Sequence, residues 1–146
     1  MLYRVAACIG PDLISVLHRM GHGDEIVLAD AFFPGETNNA RVLRADGVRM
    51  TELLDGVLRL INLDTYAPDP VVMMAPVAGD TADPTVAATY RAVVDRHWPD
   101  VPATVFIDRF AFYERARSAF AVVMTGETVK YGNLILKKGV IPMESL

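Results

Sequence analysis

The sequence has few of the residues on which many active sites depend. Cys8 is its single cysteine, which excludes an intrachain disulfide and a cysteine-based metal site. Because Cys8 lies in an apolar stretch, we interpret its thiol as a buried, inert group rather than a nucleophile. The three serines, Ser15, Ser118 and Ser145, all lie outside a GxSxG motif, which argues against a serine hydrolase of that type.

Long hydrophobic runs and charge of one sign are also missing. The longest apolar run, residues 119–124, has six residues, whereas a membrane span needs about 20. The net charge of −4 comes from interspersed acids and bases without a basic stripe, so neither nucleic acid nor a membrane surface is an expected partner. Only five apolar residues follow Arg4 before Gly10, against about 7–15 in a signal peptide, so we expect a cytoplasmic protein.

Histidine is scarce as well. His18 and His22 are four residues apart, but Gly21 ends the predicted helix between them, and His97 is the third and last histidine. With no HExxH motif, we expect no metal centre. The segment GHG at residues 21–23 lacks the third glycine of a dinucleotide-binding loop, and GKS and GKT are absent, so we expect no nucleotide cofactor.

What remains is an apolar chain of single-domain size. Its 146 residues suit one domain, residues 1–146, and 52% of them are hydrophobic. The mean hydropathy of +0.27 is high for a soluble chain of this length. We interpret the excess as surface that self-association buries, because obligate interfaces resemble a core cut in half.

Helical and extended patterns alternate along the chain, which favours an α/β fold with helices packed on a sheet. We predict helices opening at Pro11, after an N-cap at Thr51, at Asp83-Pro84 and over residues 109–117. We predict strands over residues 25–30, 41–44, 71–75, 103–108, 119–124 and 133–136, with a loop from Phe33 to Asn39.

Several polar residues stand at the predicted strand ends, where ligands collect in α/β sheets. His22 precedes a strand and Asp30 follows it. His22 is either a turn residue with an exposed ring or a functional group, and Asp30 either caps the next turn or binds a ligand. Asp64 has the local context of a turn residue, and Arg109 begins a helix, where a cation is disfavoured without a partner.

Three further residues have equally simple structural explanations. Tyr113 suits an amphipathic core position, and Tyr131 and Asn133 flank a glycine that a tight turn alone would require. Taken together, the candidates supply an imidazole, carboxylates, an arginine, tyrosines and an amide, without a strong nucleophile. That set suits proton transfer on a small polyhydroxylated molecule.

The motifs MGHGDEIVLAD, RADG, LDTYAPDP, IDRFAFYERA, AFAVVMTGE and YGNLILKKGV resemble the fucose mutarotase branch of the fucose mutarotase and ribose pyranase family. The resemblance extends from about Pro11 to Val140. It implies a single-domain three-layer αβα fold with a central mixed sheet. It also implies a ring-shaped homo-oligomer, often a decamer, that interconverts the anomers of a free monosaccharide such as L-fucose without a cofactor.

The resemblance further implies roles for the candidate residues. His22 is expected to act as an acid/base group, and Asp64 and Tyr113 are linked to proton transfer. The expected sugar contacts are Asp30, Arg109, Tyr131 and Asn133, in a pocket between neighbouring subunits. The chain departs from the family at Phe32, which is often polar in relatives and leaves the choice of sugar open. The alternatives are a ribose pyranase and a sugar-binding module without turnover.

Overall fold

The computed structural model of the chain describes residues 1–145. Six strands and five α-helices alternate along this part of the chain, followed by a 3₁₀ turn at Met143–Ser145. The helices are α1 (Pro11–Arg19), α2 (Gly35–Asn38), α3 (Met50–Leu58), α4 (Pro84–His97) and α5 (Arg109–Ser118). The strands are β1 (Glu25–Ala29), β2 (Val42–Ala45), β3 (Val71–Met74), β4 (Val105–Ile107), β5 (Ala121–Thr125) and β6 (Leu134–Lys137).

The strands form one mixed sheet in the order β2-β5-β1-β6-β3-β4. Strands β2, β5 and β1 run parallel to one another, and β3 runs parallel to β4. Strand β6 lies between the two groups and is antiparallel to both β1 and β3. In this register Ile26 of β1 lies opposite Ala121 of β5 on one side and Leu136 of β6 on the other.

Helices cover both faces of the sheet. Side chains of β1 alternate between the faces, so Ile26 and Leu28 join one core and Val27 and Ala29 the other. The first core also holds buried side chains of α1, α3 and α4, and the second holds Phe112 of α5. Burial on both faces explains the continuous apolar runs of the strands. The predicted three-layer αβα fold with a mixed sheet is therefore confirmed.

Helix starts follow the capping signals where an acid stands at the N-cap. Asp83 accepts a hydrogen bond from the Thr85 backbone N–H and opens α4, as predicted. At α1 the predicted start at Pro11 is also confirmed. Each predicted strand overlaps an observed one, with ends displaced by up to two residues.

Two local predictions were wrong. The expected loop from Phe33 to Asn39 contains the one-turn helix α2, which lacks a side-chain cap that sequence could reveal. Thr51 is not an N-cap but the second residue of α3, because the preceding Met50 is fully buried and begins the helix.

The Cys8 side chain is half-buried, and burial raises the pKa of its thiol. No helix within residues 1–145 is long and apolar enough to cross a membrane.

Candidate active site

Strand β1 separates the predicted site residues into two groups. His22 lies in the turn before β1, and Asp30 follows its last residue. A strand rises about 3.3 Å per residue, so the two ends of β1 lie roughly 15 Å apart. Because β6 is antiparallel to β1, Asn133 stands beside Asp30, and Lys138 stands beside the turn that carries His22. We call the first group, His22, Asp64 and Tyr66, the histidine cluster. We call the second group the cleft; it holds Asp30, Arg109, Tyr113, Tyr131 and Asn133.

In the histidine cluster, an accessible imidazole faces a buried carboxylate. The Nε2 atom of His22 lies 3.3 Å from Oδ2 of Asp64. The His22 side chain is 48% exposed, whereas that of Asp64 is 7% exposed. Tyr66 contacts the imidazole edge-to-face, with ring centroids 6.1 Å apart. About half of the His22 side chain is thus accessible to a ligand, while Asp64 lies against its Nε2 atom.

The environment of Asp64 keeps its carboxylate ionised. Burial by itself would raise the pKa of this carboxyl group, but two donors oppose that effect. The Tyr66 backbone N–H donates to Oδ1 at 2.9 Å, and His22 lies against Oδ2. Their combined effect lowers the pKa of Asp64 below its ordinary value. The Asp64 carboxylate thus places a negative charge beside the His22 imidazole.

Asp30 and Asn133 form a reciprocal pair in the cleft, and both side chains are buried. The Asn133 amide donates to Oδ2 of Asp30 at 2.9 Å, while its Oδ1 accepts the Asp30 backbone N–H at 2.8 Å. The Phe32 backbone N–H donates to the other carboxylate oxygen at 2.9 Å. These contacts fix the orientation of the Asn133 amide. Burial raises the pKa of Asp30, and these hydrogen bonds offset only part of that shift.

Three more predicted residues line the same cleft. Arg109 is the first residue of α5, and its guanidinium lies 4.9 Å from the Phe110 ring centre. Tyr113, one turn later, packs edge-to-face on Phe33 at 5.5 Å between ring centroids. Together with Asp30, Tyr131 and Asn133, they surround a cavity of about 200 Å³.

Tyr131 is held in a fixed position by residues that the sequence did not suggest. Its hydroxyl donates to Oδ2 of Asp80 at 2.7 Å, and its backbone has a φ of 59°, unusual for a non-glycine residue. Lys130 contacts the same Asp80 carboxylate at 2.7 Å. Hydrogen bonds from Lys130 and Tyr131 lower the pKa of Asp80 to about 2. Asp80 lies 51 residues before Tyr131, so no local pattern links the two.

The structure therefore brings five of the seven predicted residues together in the cleft, and places the other two at the opposite end of β1. Tyr113 is in the cleft, apart from His22 and Asp64. Phe32 lies at the mouth of the cleft with 74% of its surface exposed. Among residues 1–145, no group of three or more His, Cys, Asp or Glu side chains could hold a metal ion.

The chain is similar to proteins of known structure over nearly its whole length. Residues 4–141 match the profile of the RbsD / FucU transport protein family. The fucose mutarotase of Streptococcus pneumoniae, solved in complex with L-fucose, is 44% identical and superposes with a TM-score of 0.91, over 97% of this chain and 100% of that one. FucU from Bifidobacterium longum is 41% identical, with a TM-score of 0.87 over 92% and 96% of the two chains.

A more distant likeness concerns the fold alone. Bacillus subtilis RbsD, complexed with D-ribose, is 20% identical to this chain. It superposes with a TM-score of 0.68 and covers 92% of this chain and 95% of its own.

Proposed function

The chain belongs to the RbsD / FucU transport protein family, and from this premise we propose that it is an L-fucose mutarotase. It is an isomerase that interconverts the α and β anomers of the free sugar. The observation that carries the proposal is the accessible His22 imidazole held 3.3 Å from the buried Asp64 carboxylate. The 44% identity to a fucose mutarotase that binds L-fucose supports this choice of sugar.

The reaction needs two proton transfers and no covalent intermediate. A base removes the proton of the anomeric hydroxyl while an acid protonates the ring oxygen, and the bond between C1 and the ring oxygen breaks. The open-chain aldehyde rotates about C1–C2, and closure on the other carbonyl face yields the other anomer. We assign one transfer to His22, because an imidazole can both donate and accept a proton. Each positioned transfer typically contributes about 10²–10⁴-fold.

The remaining site residues are assigned by their positions. Asp64 stabilises the protonated imidazole, and the Tyr113 hydroxyl is the second candidate for proton transfer. Asp30 and Asn133 present fixed polar atoms to the sugar hydroxyls, Arg109 supplies further donors, and Tyr131 is a further contact around the cleft. Contacts of this kind orient a sugar for reaction, which supplies part of the rate acceleration.

One sugar molecule cannot contact both groups in a single chain, because β1 separates them. We propose that the histidine cluster of one subunit meets the cleft of the next. Contacts between opposite ends of identical subunits are heterologous, and they close into a ring when the rotation permits. Exposed apolar side chains near both ends support this assembly: Tyr66, Val140 and Ile141 near His22, and Phe32, Val77 and Phe110 near the cleft. The expected decamer and the cytoplasmic location stay predictions.

The proposal is tested by exchange NMR on equilibrated L-fucose. We expect the enzyme to accelerate exchange between the α and β anomer signals, and His22→Ala to abolish that acceleration. His18→Ala is the matched control, because His18 is an exposed histidine on α1 outside both groups; it should retain full activity. Unchanged exchange in the wild-type protein, despite sugar binding, would leave only a sugar-binding module.

The same measurement on D-ribose tests the alternative enzyme. A ribose pyranase would accelerate exchange between pyranose and furanose signals of D-ribose more than anomer exchange of L-fucose. The D-ribose complex among the structural relatives is only 20% identical, so we expect L-fucose to be the better substrate.

A further inference from the structure

The turn that carries His22 is rigid despite its two glycines. The Gly21 backbone N–H donates to the Asp24 carboxylate at 2.7 Å, and the Asp24 N–H donates back to the Gly21 carbonyl at 3.2 Å. Gly23 has a φ of +84°, a conformation that L side chains rarely adopt. These contacts hold the backbone on both sides of His22.

Lys138 contacts this turn twice through its backbone and the preceding end of α1 twice through its side chain. Its backbone N–H donates to the Asp24 carbonyl and its own carbonyl accepts the Gly23 N–H, both at 2.8 Å. Its ammonium group donates to the carbonyl oxygens of Leu17 at 2.8 Å and Met20 at 2.7 Å. These carbonyls belong to the C-terminal end of α1, where a cation also offsets the helix dipole. Lys138 thus contacts the end of α1 through its ammonium group and the turn that follows it through its backbone.

The chain around Lys138 also positions Asp64. The Asp64 backbone N–H donates to the Lys137 carbonyl at 3.0 Å, and Leu63 forms a β-bridge with Lys138. A Cβ atom on Gly139 would lie 2.5 Å from the Leu63 carbonyl oxygen, so only glycine allows this close approach. Residues 137–139 therefore lie between the His22 turn and the Asp64 loop, and contact both.

We propose that Lys138 is a positioning residue for the His22–Asp64 pair, with its ammonium group holding the end of α1, from which the His22 turn departs, at the correct distance from Asp64. The inference rests on the proposed mutarotase function. Without the ammonium, the end of α1 loses two hydrogen bonds, so the residues that lead into the turn are held less firmly, while the two backbone hydrogen bonds between Lys138 and the turn remain. Since the hydroxyl-binding residues lie in the cleft at the other end of β1, loss of the ammonium should affect kcat and leave KM unchanged.

The test compares Lys138→Met with Arg91→Met. Arg91 is the matched control, because its guanidinium also donates to two backbone carbonyls, those of Val101 and Pro102, but outside both the histidine cluster and the cleft. We expect Lys138→Met to lower kcat for anomer exchange by about 10- to 100-fold with KM within about twofold, since small misplacements of a reacting group cost rates of this size. Arg91→Met should leave kcat unchanged, although it should lower the free energy of unfolding by an amount comparable to that in Lys138→Met.

A second readout does not depend on activity. In Lys138→Met, hydrogen exchange at the Gly23 amide should accelerate beyond the change seen in Arg91→Met. Equal kcat and equal Gly23 exchange in the two variants would show that Lys138 only stabilises the fold, and would overturn the proposal. If wild-type protein does not accelerate anomer exchange, the mutarotase function fails, whereas the Gly23 amide still reports whether Lys138 holds the turn.

Gly23→Ala serves if Lys138→Met does not fold. An added Cβ at Gly23 meets nothing within 4 Å, so this substitution disturbs only the backbone of the turn. We expect the same pattern, a fall in kcat of about 10-fold with KM unchanged, because the strained backbone displaces His22. If Gly23→Ala retained the wild-type kcat, activity would not require a fixed turn, and the proposal would be contradicted.

Discussion

Two buried aspartates in this chain have opposite electrostatic environments. For Asp64, hydrogen bonds from the Tyr66 N–H and His22 outweigh the effect of burial, and its pKa is lowered. For Asp30, burial outweighs the hydrogen bonds from Phe32 and Asn133, and its pKa is raised. A lowered pKa keeps Asp64 as a counter-charge for His22, while a raised pKa brings Asp30 closer to a neutral group that can donate as well as accept hydrogen bonds.

These shifts predict opposite pH dependences of stability. The folded pKa of Asp64 lies below its ordinary value of 3.8, so its contribution to stability is present above pH 3.8 and lost as the pH falls through the folded pKa. The stability difference between wild type and Asp64→Asn should therefore shrink below about pH 4. The folded pKa of Asp30 lies above 3.8, so wild type should lose stability relative to Asp30→Asn as the pH rises from 3.8 through that folded pKa.

Urea unfolding at a series of pH values from about 3 to 7 measures both differences, and each aspartate variant serves as the control for the other. Only the slopes of the free energy of unfolding against pH are compared, because the hydrogen bonds lost in each variant shift its whole curve by a constant amount. If the stability difference from wild type changed with pH in the same direction for Asp64→Asn and Asp30→Asn, the opposite pKa shifts of the two aspartates would be contradicted.

Helix α5 connects the two ends of the sheet. Its first residue, Arg109, lines the cleft, whereas Arg115 reaches the end of β1 that is near the histidine cluster. Arg115 pairs with Glu25 of β1, and with Asp69 at 2.7 Å. Lys137 of β6 lies 3.3 Å from Glu25 and 3.6 Å from Asp69, which completes a ring of four charges. This charge ring joins α5 and the sheet to the segment that follows Asp64.

We expect Arg115→Leu to destabilise the protein by about 1–3 kcal/mol, because it removes charge-assisted hydrogen bonds from two partly buried carboxylates. The side chains of the ring are between 16% and 25% exposed, so solvent screens them less than a surface pair. Arg44→Leu is the control, since it breaks a pair with Asp46 that is more than half exposed, and it should cause no measurable loss. Urea unfolding of the two variants decides, and equal losses would show that the ring adds nothing specific.

The sequence predicts a helix or strand well when the residues that determine its ends lie within a few positions of them. The Asp83-Pro84 pair marks the start of α4 because both the cap and the fixed φ of proline act within one turn. Helix α2 was missed because it has four residues and no side-chain cap. At α3 the hydroxyl of Thr51 suggested a cap, but burial of Met50 decided where the helix begins. Packing thus outweighed a local preference.

For the whole molecule, the contacts that build the site join distant parts of the chain. Asp30 and Asn133 are 103 residues apart, and Lys138 contacts Leu17 across 121 residues. Patterns along the chain identified the first two as candidates, yet no spacing rule could pair them, because the pairing depends on β6 lying antiparallel to β1. The same strand pair places His22 and Asp30 at opposite ends of β1, and the proposed mechanism therefore requires a second copy of the chain to complete the site.

This requirement predicts that two inactive variants restore activity when they are mixed. His22→Ala lacks the histidine cluster but keeps the cleft, and Asp30→Ala has the reverse defect. In rings refolded from an equal mixture, each interface has one of four equally frequent arrangements, and one arrangement joins two intact halves. Activity should therefore recover to about a quarter of the wild-type value if interfaces are heterologous. Exchange NMR on L-fucose measures the recovery.

Mixing His22→Ala with Asp64→Asn is the control, because both defects lie in the histidine cluster and no arrangement of the two variants restores an intact cluster. Recovery in the control, or none in the first mixture despite mixed rings, would contradict a site shared between subunits.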